Sequence, residues 1–458
     1  MIENDAFKLL LINLFHLNPD DIANIFCTTF NKMMVLIVTL ADKHQACPYC
    51  GFTAPKIKEY VTKEITHSAL TTQKCIIKYR ARRYKCPCCG KTYYEFNPFV
   101  FKSQKISILT VHNILKDLKD FNETFTSVAR RYHVSPTSVS TIFDNHVDIG
   151  RNPLPEIINF DEVYAFKSEK SKYVCVLLDF KKQIPVDVLP NRKKEYLLNY
   201  FQKIPLEERK KVKYACSDMY EVYRDVVHKV FPCSCMLLDY FHLSQDFHRK
   251  MNEVRIKVMK GYKDDKASDE YYLLKKFNWL LFKNPEDEDK YGRLFDVERE
   301  RKYNSHFKSY MNYYDLRKKI LEINNDLTIC YSLKLELVDF YSKSTIDNAQ
   351  VNLEHLIRSC IDTNIEEMIK FSNNLINWKQ EIINSFTIVG TEYKVEADKG
   401  QVVVCNKKVN NAIIENRNKI IKCIKNNANG YTNWSRFRNR VMYVLDPNTT
   451  FSLEPREK

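Results

Sequence analysis

Glycine is scarce in this chain, with 8 residues among 458. No two of them form a G-x-G-x-x-G fingerprint or a phosphate-binding loop, which disfavours nucleotide-driven chemistry. Apolar runs are also short: the longest, residues 33–41, falls well below the ~18–20 residues of a membrane span and fits a buried strand. The sequence therefore predicts neither a nucleotide cofactor nor a membrane-spanning helix.

The first five residues lack the basic start of a secretory signal. The 15 cysteines are therefore interpreted as cytosolic thiols or metal ligands rather than as disulfides. We expect a cytoplasmic protein. Apolar residues make up 44% of the chain, which is enough for large cores, and 458 residues suffice for about three domains.

Basic residues outnumber acidic ones by 72 to 57, and two segments concentrate the excess. Residues 71–106 hold nine Lys or Arg against one acid, and residues 401–458 hold eleven against four. This favours a polyanionic partner, most commonly nucleic acid, over a merely soluble basic protein. The arginines expected to contact a nucleic-acid backbone are Arg80, Arg82, Arg83, Arg436, Arg438 and Arg440.

Two C-x-x-C-G motifs stand 35 residues apart, Cys47 to Gly51 and Cys86 to Gly90. Four thiolates at this spacing predict a tetrahedral zinc site in a β-rich zinc ribbon. The glycine after each pair permits the tight turn that directs amides at the sulfurs. The spacing selects the zinc ligands Cys47, Cys50, Cys86 and Cys89. Cys88 is an additional thiol whose part in zinc binding stays open.

Residues 124–146 have the pattern of a helix-turn-helix, preceded by a helix over 107–122. Ser135 is a good N-cap with Pro136 at the first helical position. The functional interpretation is that the second helix enters a DNA groove, and the alternative is a plain helical hairpin. The side chains expected to face the groove are Thr137, Ser138, Ser140 and Thr141.

Between residues 155 and 242, two acids each follow a short apolar run, Asp161 after the first strand-like run and Asp218 after the fourth. The runs predict the order β-β-β-α-β, which is the layout of an RNase H-like nuclease core. Carboxylates at strand ends can share divalent metals, and paired metals cut phosphodiesters. A third carboxylate is needed for a two-metal site, and composition alone cannot select it among 57 acids.

The rest of the chain is predicted to be mainly helical. In residues 246–387, apolar residues recur at intervals of three and four positions, which indicates a helical insertion. The tail predicts an amphipathic helix over 410–422, with Glu415, Asn418 and Lys422 on one face, ended by Asn429 and Gly430.

The order of these parts resembles the insertion-sequence transposases of the ISL-three family over nearly the whole chain. The residues that carry the resemblance are the two cysteine motifs, Asp161-Glu162, Ser217-Asp218-Met219, Asp239 to His242, residues 277–284, Glu415 to Asn418, residues 430–433 and residues 437–440. Three departures are a missing glycine near Asn411-Ala412, Tyr240 in place of an Arg, and Asn426 in place of a basic residue.

The resemblance implies a DDE transposase in which Asp161 and Asp218 are metal ligands and Glu415 is the catalytic glutamate. An all-oxygen site of this kind suits Mg²⁺ or Mn²⁺. Lys419 and Lys422 would touch phosphates near the cut. Asp239 follows a strand and could orient the site or contact metal directly; His242 is interpreted as a structural neighbour.

The expected fold is an α/β RNase H-like core with a large all-α insertion, preceded by a β-rich zinc ribbon and a helix-turn-helix domain. The expected boundaries are 1–105, 106–150, 151–245, 246–400 and 401–458. The implied partner is double-stranded DNA, both element ends and target, handled by at least a dimer because two ends must be paired. Bound to DNA, the protein would be nucleoid-associated.

Two other functions compete with this one. The first is a DNA-binding protein derived from a transposase, whose nuclease core is inactive. The second is a nuclease that cuts branched DNA without joining it. Strand transfer and short inverted repeats flanking the gene would separate the transposase from both.

Overall fold

The computed structural model describes residues 2–43, 46–68, 72–101, 104–166, 171–395 and 402–456. Lys102 and Lys458 of the basic segments, and the expected boundary at residues 400 and 401, lie outside the described residues. The described part is a mixed α/β structure with two five-stranded sheets, the first formed by residues 22–94 and the second by residues 157–238.

The first sheet has the strand order β1-β2-β4-β3, and β5 pairs with β4. Its elements are α1 (Ile2–Leu14), β1 (Ile22–Phe30), β2 (Met33–Leu40), β3 (Lys56–Thr66), β4 (Cys75–Lys85) and β5 (Thr92–Tyr94). Alternate residues of β4, such as Ile77 and Tyr79, enter the core beneath α1. The strand over 33–41 and the β-rich setting of the cysteines are therefore as predicted.

Apolar residues at 7, 10, 11, 14 and 17 predict an amphipathic helix over 6–20, but α1 ends at Leu14 and a different face is buried. Leu11, Ile12 and Phe15 enter the core, whereas Phe7 and Leu10 are more than half exposed. The reason is that apolar residues occupy both sides of this helix, so its periodicity does not select the buried one.

Three helices follow, α2 (Ile108–Asp117), α3 (Phe125–Arg131) and α4 (Pro136–His146). Ser135 caps α4 by accepting a bond from the Ser138 amide, and His133 makes the turn with a φ of 54°. The core of this unit also contains Tyr443, from near the end of the chain. The helix-turn-helix is thus packed together with the C-terminal helix and does not stand apart.

The second sheet has the order β10-β9-β6-β7-β8. Its strands and intervening helices are β6 (Ile157–Val163), β7 (Val174–Asp179), β8 (Pro185–Leu189), α5 (Lys194–Gln202), α6 (Leu206–Arg209), β9 (Tyr214–Ser217), α7 (Glu221–Val230) and β10 (Cys235–Leu238). Strands β6, β9 and β10 are parallel to one another, and β7 runs antiparallel to β6 and β8. The predicted β-β-β-α-β order is found.

The next region is helical but not wholly so. Its helices are α8 (Tyr240–Gly261), α9 (Asp269–Lys276), α10 (Tyr313–Ile323), α11 (Asn325–Lys343), α12 (Ala349–Asp362), α13 (Glu366–Asn377) and α14 (Lys379–Asn384). Two short hairpins interrupt them, β11 (Glu288–Asp289) with β12 (Gly292–Arg293) and β13 (Lys302–Asn304) with β14 (Ser309–Met311). A separate apolar core unites these helices.

The chain returns to the second sheet through a hairpin that the sequence did not predict, β15 (Ile388–Val395) with β16 (Val402–Lys408). Helices α15 (Ala412–Asn427) and α16 (Trp434–Leu445) then cover one face of that sheet, while α5 and α7 cover the other. The result is a three-layer arrangement in which α15 lies against β6, the strand that carries Asp161.

Candidate metal centres and nucleic-acid interface

Three aspartates lie side by side at one edge of the second sheet. Asp161 is in β6, and Asp218 and Asp239 directly follow the parallel strands β9 and β10. The register pairs Asn159 of β6 with Cys216 of β9, so two residues further on Asp161 lies beside Asp218. The register also pairs Ser217 with Leu238 of β10, so Asp239 lies on the other side of Asp218. Because side chains alternate along a strand, the three carboxylates share the face that α15 covers.

Helix α15 is held to this face by asparagine amides. Asn159 of β6 donates to the Asn410 carbonyl at 2.8 Å and to the Asn411 side chain at 2.7 Å. The Asn411 backbone amide donates to Asp239 Oδ1 at 3.1 Å. One turn later the amide of Glu415 bonds to the Asn411 carbonyl at 2.9 Å, so this anchor determines where Glu415 stands.

Asp161 is fully engaged in hydrogen bonds. Its Oδ1 accepts from the Glu162 amide at 2.7 Å, and its Oδ2 accepts from Asn418 Nδ2, also at 2.7 Å. Burial, followed by the neighbouring charge of Asp218, raises the pKa of Asp161 to about 7. The amide bonds oppose this shift without cancelling it.

Burial also raises the pKa of Asp218 to about 6, with the charge of Glu162 adding to the effect. The pKa of Asp239 is raised by burial as well, against the bond from the Asn411 amide. Several carboxylates that resist ionisation in one place are poised to be stabilised by a cation.

At this place five buried atoms have no hydrogen-bond partner among the described residues: the Oδ1 atoms of Asn159 and Asn418, and three atoms of ionisable groups, Asp218 Oδ1, Asp239 Oδ2 and His242 Nε2. Buried polar atoms are almost always paired, so three orphans together mark a position for an absent group. Two carboxylate oxygens and an imidazole nitrogen are all cation ligands, so the residues fit a divalent metal.

Among the described residues, two groups of side chains place one ligand atom each within 4.8 Å of all the others. One of them is Asp239, His242 and Glu415. Asp161 and Asp218 belong to neither group, although they line the same sheet edge. The structure therefore groups Glu415 with Asp239 and His242, the two residues to which the sequence assigned a supporting role.

The second group consists of Cys47, Cys50, Cys86 and Cys89. Cys47 Sγ lies 3.7 Å from Cys89 Sγ, and Cys50 Sγ lies 3.5 Å from Cys86 Sγ, close to the separations around a four-sulfur zinc ion with ~2.3 Å bonds. The four thiols predicted from the spacing can hold zinc together, and Cys88 is exposed outside the group.

The two cysteine turns have the same backbone. Gly51 and Gly90 adopt φ of 74° and 70°, and their amides bond to the carbonyls of Cys47 and Cys86, each at 2.9 Å. The left-handed φ explains why glycine follows each cysteine pair.

Glu162, next to Asp161, forms an ion pair with Arg192. The Arg192 guanidinium lies over the rings of Tyr173 and Tyr220, 4.7 Å from each centroid. Its positive charge acts to lower the pKa of Asp218, against the dominant effect of burial. Arg192 thus offsets part of the negative charge at the edge of the site.

The predicted groove-facing side chains of α4 lie at the surface: Thr137 and Thr141 are exposed, and Ser138 is half-buried. Together with Lys105 and Asn145 they line one shallow depression. On α15, Lys419 and Lys422 are also exposed. These residues are placed where a polyanion could reach them.

The predicted arginine contacts are largely engaged inside the molecule. Arg82 binds Glu95 at 2.8 Å, Arg83 binds Glu59 at 2.7 Å, and the Arg80 guanidinium lies 4.9 Å from the Tyr60 ring centroid.

Near the C-terminus, Arg436 pairs with Asp144 at 2.6 Å and Arg438 with Asp187 at 2.7 Å. Arg440 is 1% exposed. These three side chains hold the C-terminal helix to the helix-turn-helix and to the second sheet.

The sequence did not assign roles to Asn411 or Asn418. Both are buried and both bond to the acidic site directly. Their signal in the sequence is weak because they lie in a tail that contains many asparagines. Near the position where the family usually has a glycine, this chain has Asn411, and its side chain accepts the bond from Asn159.

The chain thus combines a group of four thiols, the helical hairpin of α3 and α4, and a cluster of buried carboxylates on the second sheet. The family model described as transposase, that of the ISL-three family, matches residues 158–397, just over half of the 458 residues. The chain belongs to this family of insertion-sequence transposases. The matched residues include Asp161, Asp218, Asp239 and His242 and end before Glu415.

A curated relative points the same way. The chain is 19% identical over 409 residues to the transposase for insertion sequence element IS1001 of Bordetella parapertussis, covering 89% of this chain and 90% of the relative. A role in transposition, with DNA as the partner, follows from the family.

None of the helices in the described part of the chain has both the length and the apolar character of a membrane span.

Proposed function

We propose that this chain is a DDE transposase that binds the terminal inverted repeats of its own insertion sequence and catalyses metal-dependent strand cleavage and strand transfer. The observation that carries the proposal is that Asp161 in β6 and Asp218, directly after the adjacent strand β9, lie at one sheet edge, and that α15, the helix that carries Glu415, packs on β6. An acid from each of two strands and one from a covering helix can converge on shared cations.

We further propose an RNase H-like catalytic core. The strand order β10-β9-β6-β7-β8, with β7 antiparallel to its neighbours, supports it. In this division, residues 1–105 hold the zinc ribbon, 106–150 the helix-turn-helix, 151–245 the first part of the core, 246–400 the helical insertion, and 401–458 the helix that completes the core.

In the proposed mechanism Asp161, Asp218 and Glu415 hold Mg²⁺ or Mn²⁺. Such cations, when bound, activate the attacking oxygen and stabilise the leaving oxygen of the phosphodiester. The chain's own contribution is positioning. Asn418 fixes the Asp161 carboxylate through its 2.7 Å bond, and the Asn411 anchor sets Glu415 one turn along α15.

For DNA recognition we propose that α4 presents Thr137, Ser138 and Thr141 to a groove. Lys419 and Lys422 would meet phosphates near the acidic site, because they share α15 with Glu415. Their role would be in affinity rather than in sequence selection. Pairing two element ends calls for at least two copies of the chain.

The test incubates the full-length protein with duplex DNA carrying the flanks of its own gene, in Mg²⁺ or Mn²⁺. We expect cuts at the repeat ends and joined products with the wild type. Asp161→Asn should lose both. The matched control is Asp225→Asn, a half-exposed acid on α7 that pairs with Lys194 outside the site.

Three outcomes would contradict this proposal. Specific binding without cutting in any sample would indicate a DNA-binding remnant. Cutting without joined products would indicate a nuclease. Cutting that survives in Asp161→Asn would remove Asp161 from the catalytic set.

A further inference from the structure

We propose that Asp239 and His242 are direct ligands, with Glu415, of one divalent cation, and that the imidazole makes this position favour Mn²⁺ over Mg²⁺. The inference rests on the proposed function in that the cation would serve the same reaction. It goes further because it adds two ligands from α8 and its N-cap and names the preferred metal.

The geometry comes from the junction of β10 and α8. Asp239 is the N-cap residue of α8, and His242 lies three positions later, so both side chains point to the same side. Glu415 reaches this side from α15. One ligand atom from each of the three lies within 4.8 Å of the other two, a spread that one cation can span.

An ion pair between His242 and Asp239 would be the simpler explanation of their proximity. However, His242 Nε2 and Asp239 Oδ2 are 3.9 Å apart, beyond hydrogen-bond distance. Asp239 is 3% exposed, and both of these atoms lack a partner among the described residues. Two facing orphans separated by this gap are better satisfied by an atom between them than by each other.

Asp239 is also unusually well prepared as a ligand. Its Oδ1 accepts the bond from the Asn411 amide, which fixes the carboxylate and leaves Oδ2 without a partner among the described residues. Ligands oriented by such neighbouring bonds are typical of metal sites. The same amide belongs to the anchor of α15, so Asp239 and Glu415 are positioned by one element.

The metal preference follows from the donor set. Mg²⁺ prefers oxygen ligands and gives up its waters reluctantly, whereas imidazole nitrogen suits transition metals better. Mn²⁺ accepts both carboxylate and imidazole. A site with two carboxylates and one imidazole should therefore bind Mn²⁺ more tightly than Mg²⁺.

The test uses the full-length, zinc-loaded protein without DNA and titrates it separately with Mn²⁺ and with Mg²⁺. Calorimetry would give the Mn²⁺ and Mg²⁺ affinities, and pulsed electron paramagnetic resonance would detect nitrogen coupled to Mn²⁺. We expect nitrogen coupling in the wild type, its loss in His242→Gln, and a roughly tenfold or greater loss of Mn²⁺ affinity. Asp239→Asn should weaken Mn²⁺ binding while folding normally by circular dichroism.

The control is His228→Gln, an exposed histidine on α7. It should keep both the affinity and the nitrogen signal. Mn²⁺ that binds the wild type without nitrogen coupling overturns the proposal even if every variant misfolds, as does full Mn²⁺ affinity in His242→Gln.

This result is independent of the DNA-cutting assay. Failure to cut with nitrogen coupling intact would leave the ligand assignment standing. Cutting abolished by Asp161→Asn without nitrogen coupling in the wild type would leave only the proposed function.

Discussion

At the scale of single residues, buried carboxylates dominate the acidic site. Asp218 is a clear case, because its Oδ1 has no partner among the described residues and burial raises its pKa to about 6. Its folded-state pKa lies above the ordinary value of 3.8, so the stability it contributes is complete below that pH and is lost as pH rises through about 6.

We therefore predict that Asp218→Asn stabilises the metal-free protein at pH 8 by about 1–3 kcal/mol, with a gain that shrinks towards pH 4. Urea unfolding across this pH range would measure it. Saturating Mn²⁺ should stabilise the wild type more than the variant, because a cation that binds only the folded state adds stability. A variant less stable than the wild type at pH 8 would refute the prediction.

The sequence could predict Asp161 and Asp218 because each follows a buried apolar run. Glu415 required the family resemblance, since nothing in its own segment distinguishes it from other acids on amphipathic helices. Asn411 and Asn418 could not be predicted, because their importance comes from contacts with residues more than 150 positions away. The four thiols that could hold zinc are at the opposite extreme, because their local spacing alone selected all of them.

At the scale of elements, short apolar runs predicted the strands of the second sheet, and periodicity predicted that residues 246–387 are mainly helical without giving the bounds of the individual helices. The predictions failed where local patterns are ambiguous. Helix α1 has apolar residues on two sides, and the short hairpins within the helical region contain few residues each. The hairpin of β15 and β16 was not predicted, because the helical pattern was followed to residue 387 and no element was assigned between there and residue 410.

Helix α16 illustrates how charge in a sequence can mislead. Arg440 Nη2 donates to the carbonyls of Asp120 and Glu123, each at 2.8 Å, in the segment that leads into α3. We predict that Arg440→Met lowers the free energy of unfolding by about 1–3 kcal/mol, since the Glu123 carbonyl loses its bond from Arg440 while the Asp120 carbonyl keeps only the bond from the Glu123 amide. Chemical denaturation would measure the loss.

The matched comparison is Lys422→Gln on α15, whose side chain is exposed. It should leave stability unchanged within about 0.5 kcal/mol and weaken binding to duplex DNA with a smaller salt dependence. If Arg440→Met keeps its stability and instead reduces the salt dependence, the interpretation of Arg440 as an internal support is wrong.

At the scale of the whole molecule, the two candidate metal centres differ in chemistry and should respond separately. We predict that the purified protein carries one zinc ion per chain. Cys89→Ser should lose it, whereas Cys88→Ser should keep it, because Cys88 is exposed outside the four-thiol group. Release by a thiol-modifying reagent with a colorimetric zinc indicator would give the count.

Zinc loss should disturb the first sheet, whose β4 leads directly into Cys86, and leave Mn²⁺ binding at Asp239 and His242 in place. Near-ultraviolet circular dichroism with the Mn²⁺ titration would follow both. Coupled loss of both metals on removing zinc would show that the centres are not independent.

The position of Tyr443 has a consequence for how the protein matures as it is made. This residue closes the core of the helix-turn-helix, its hydroxyl donating to the Leu115 carbonyl at 2.9 Å, and it follows Glu415 in the chain. During synthesis, therefore, neither the core around α2, α3 and α4 nor the carboxylate site is complete until the segment from α15 to Tyr443 has left the ribosome. A shortened product that lacks this segment should therefore bind duplex DNA poorly and also lack the proposed cleavage activity.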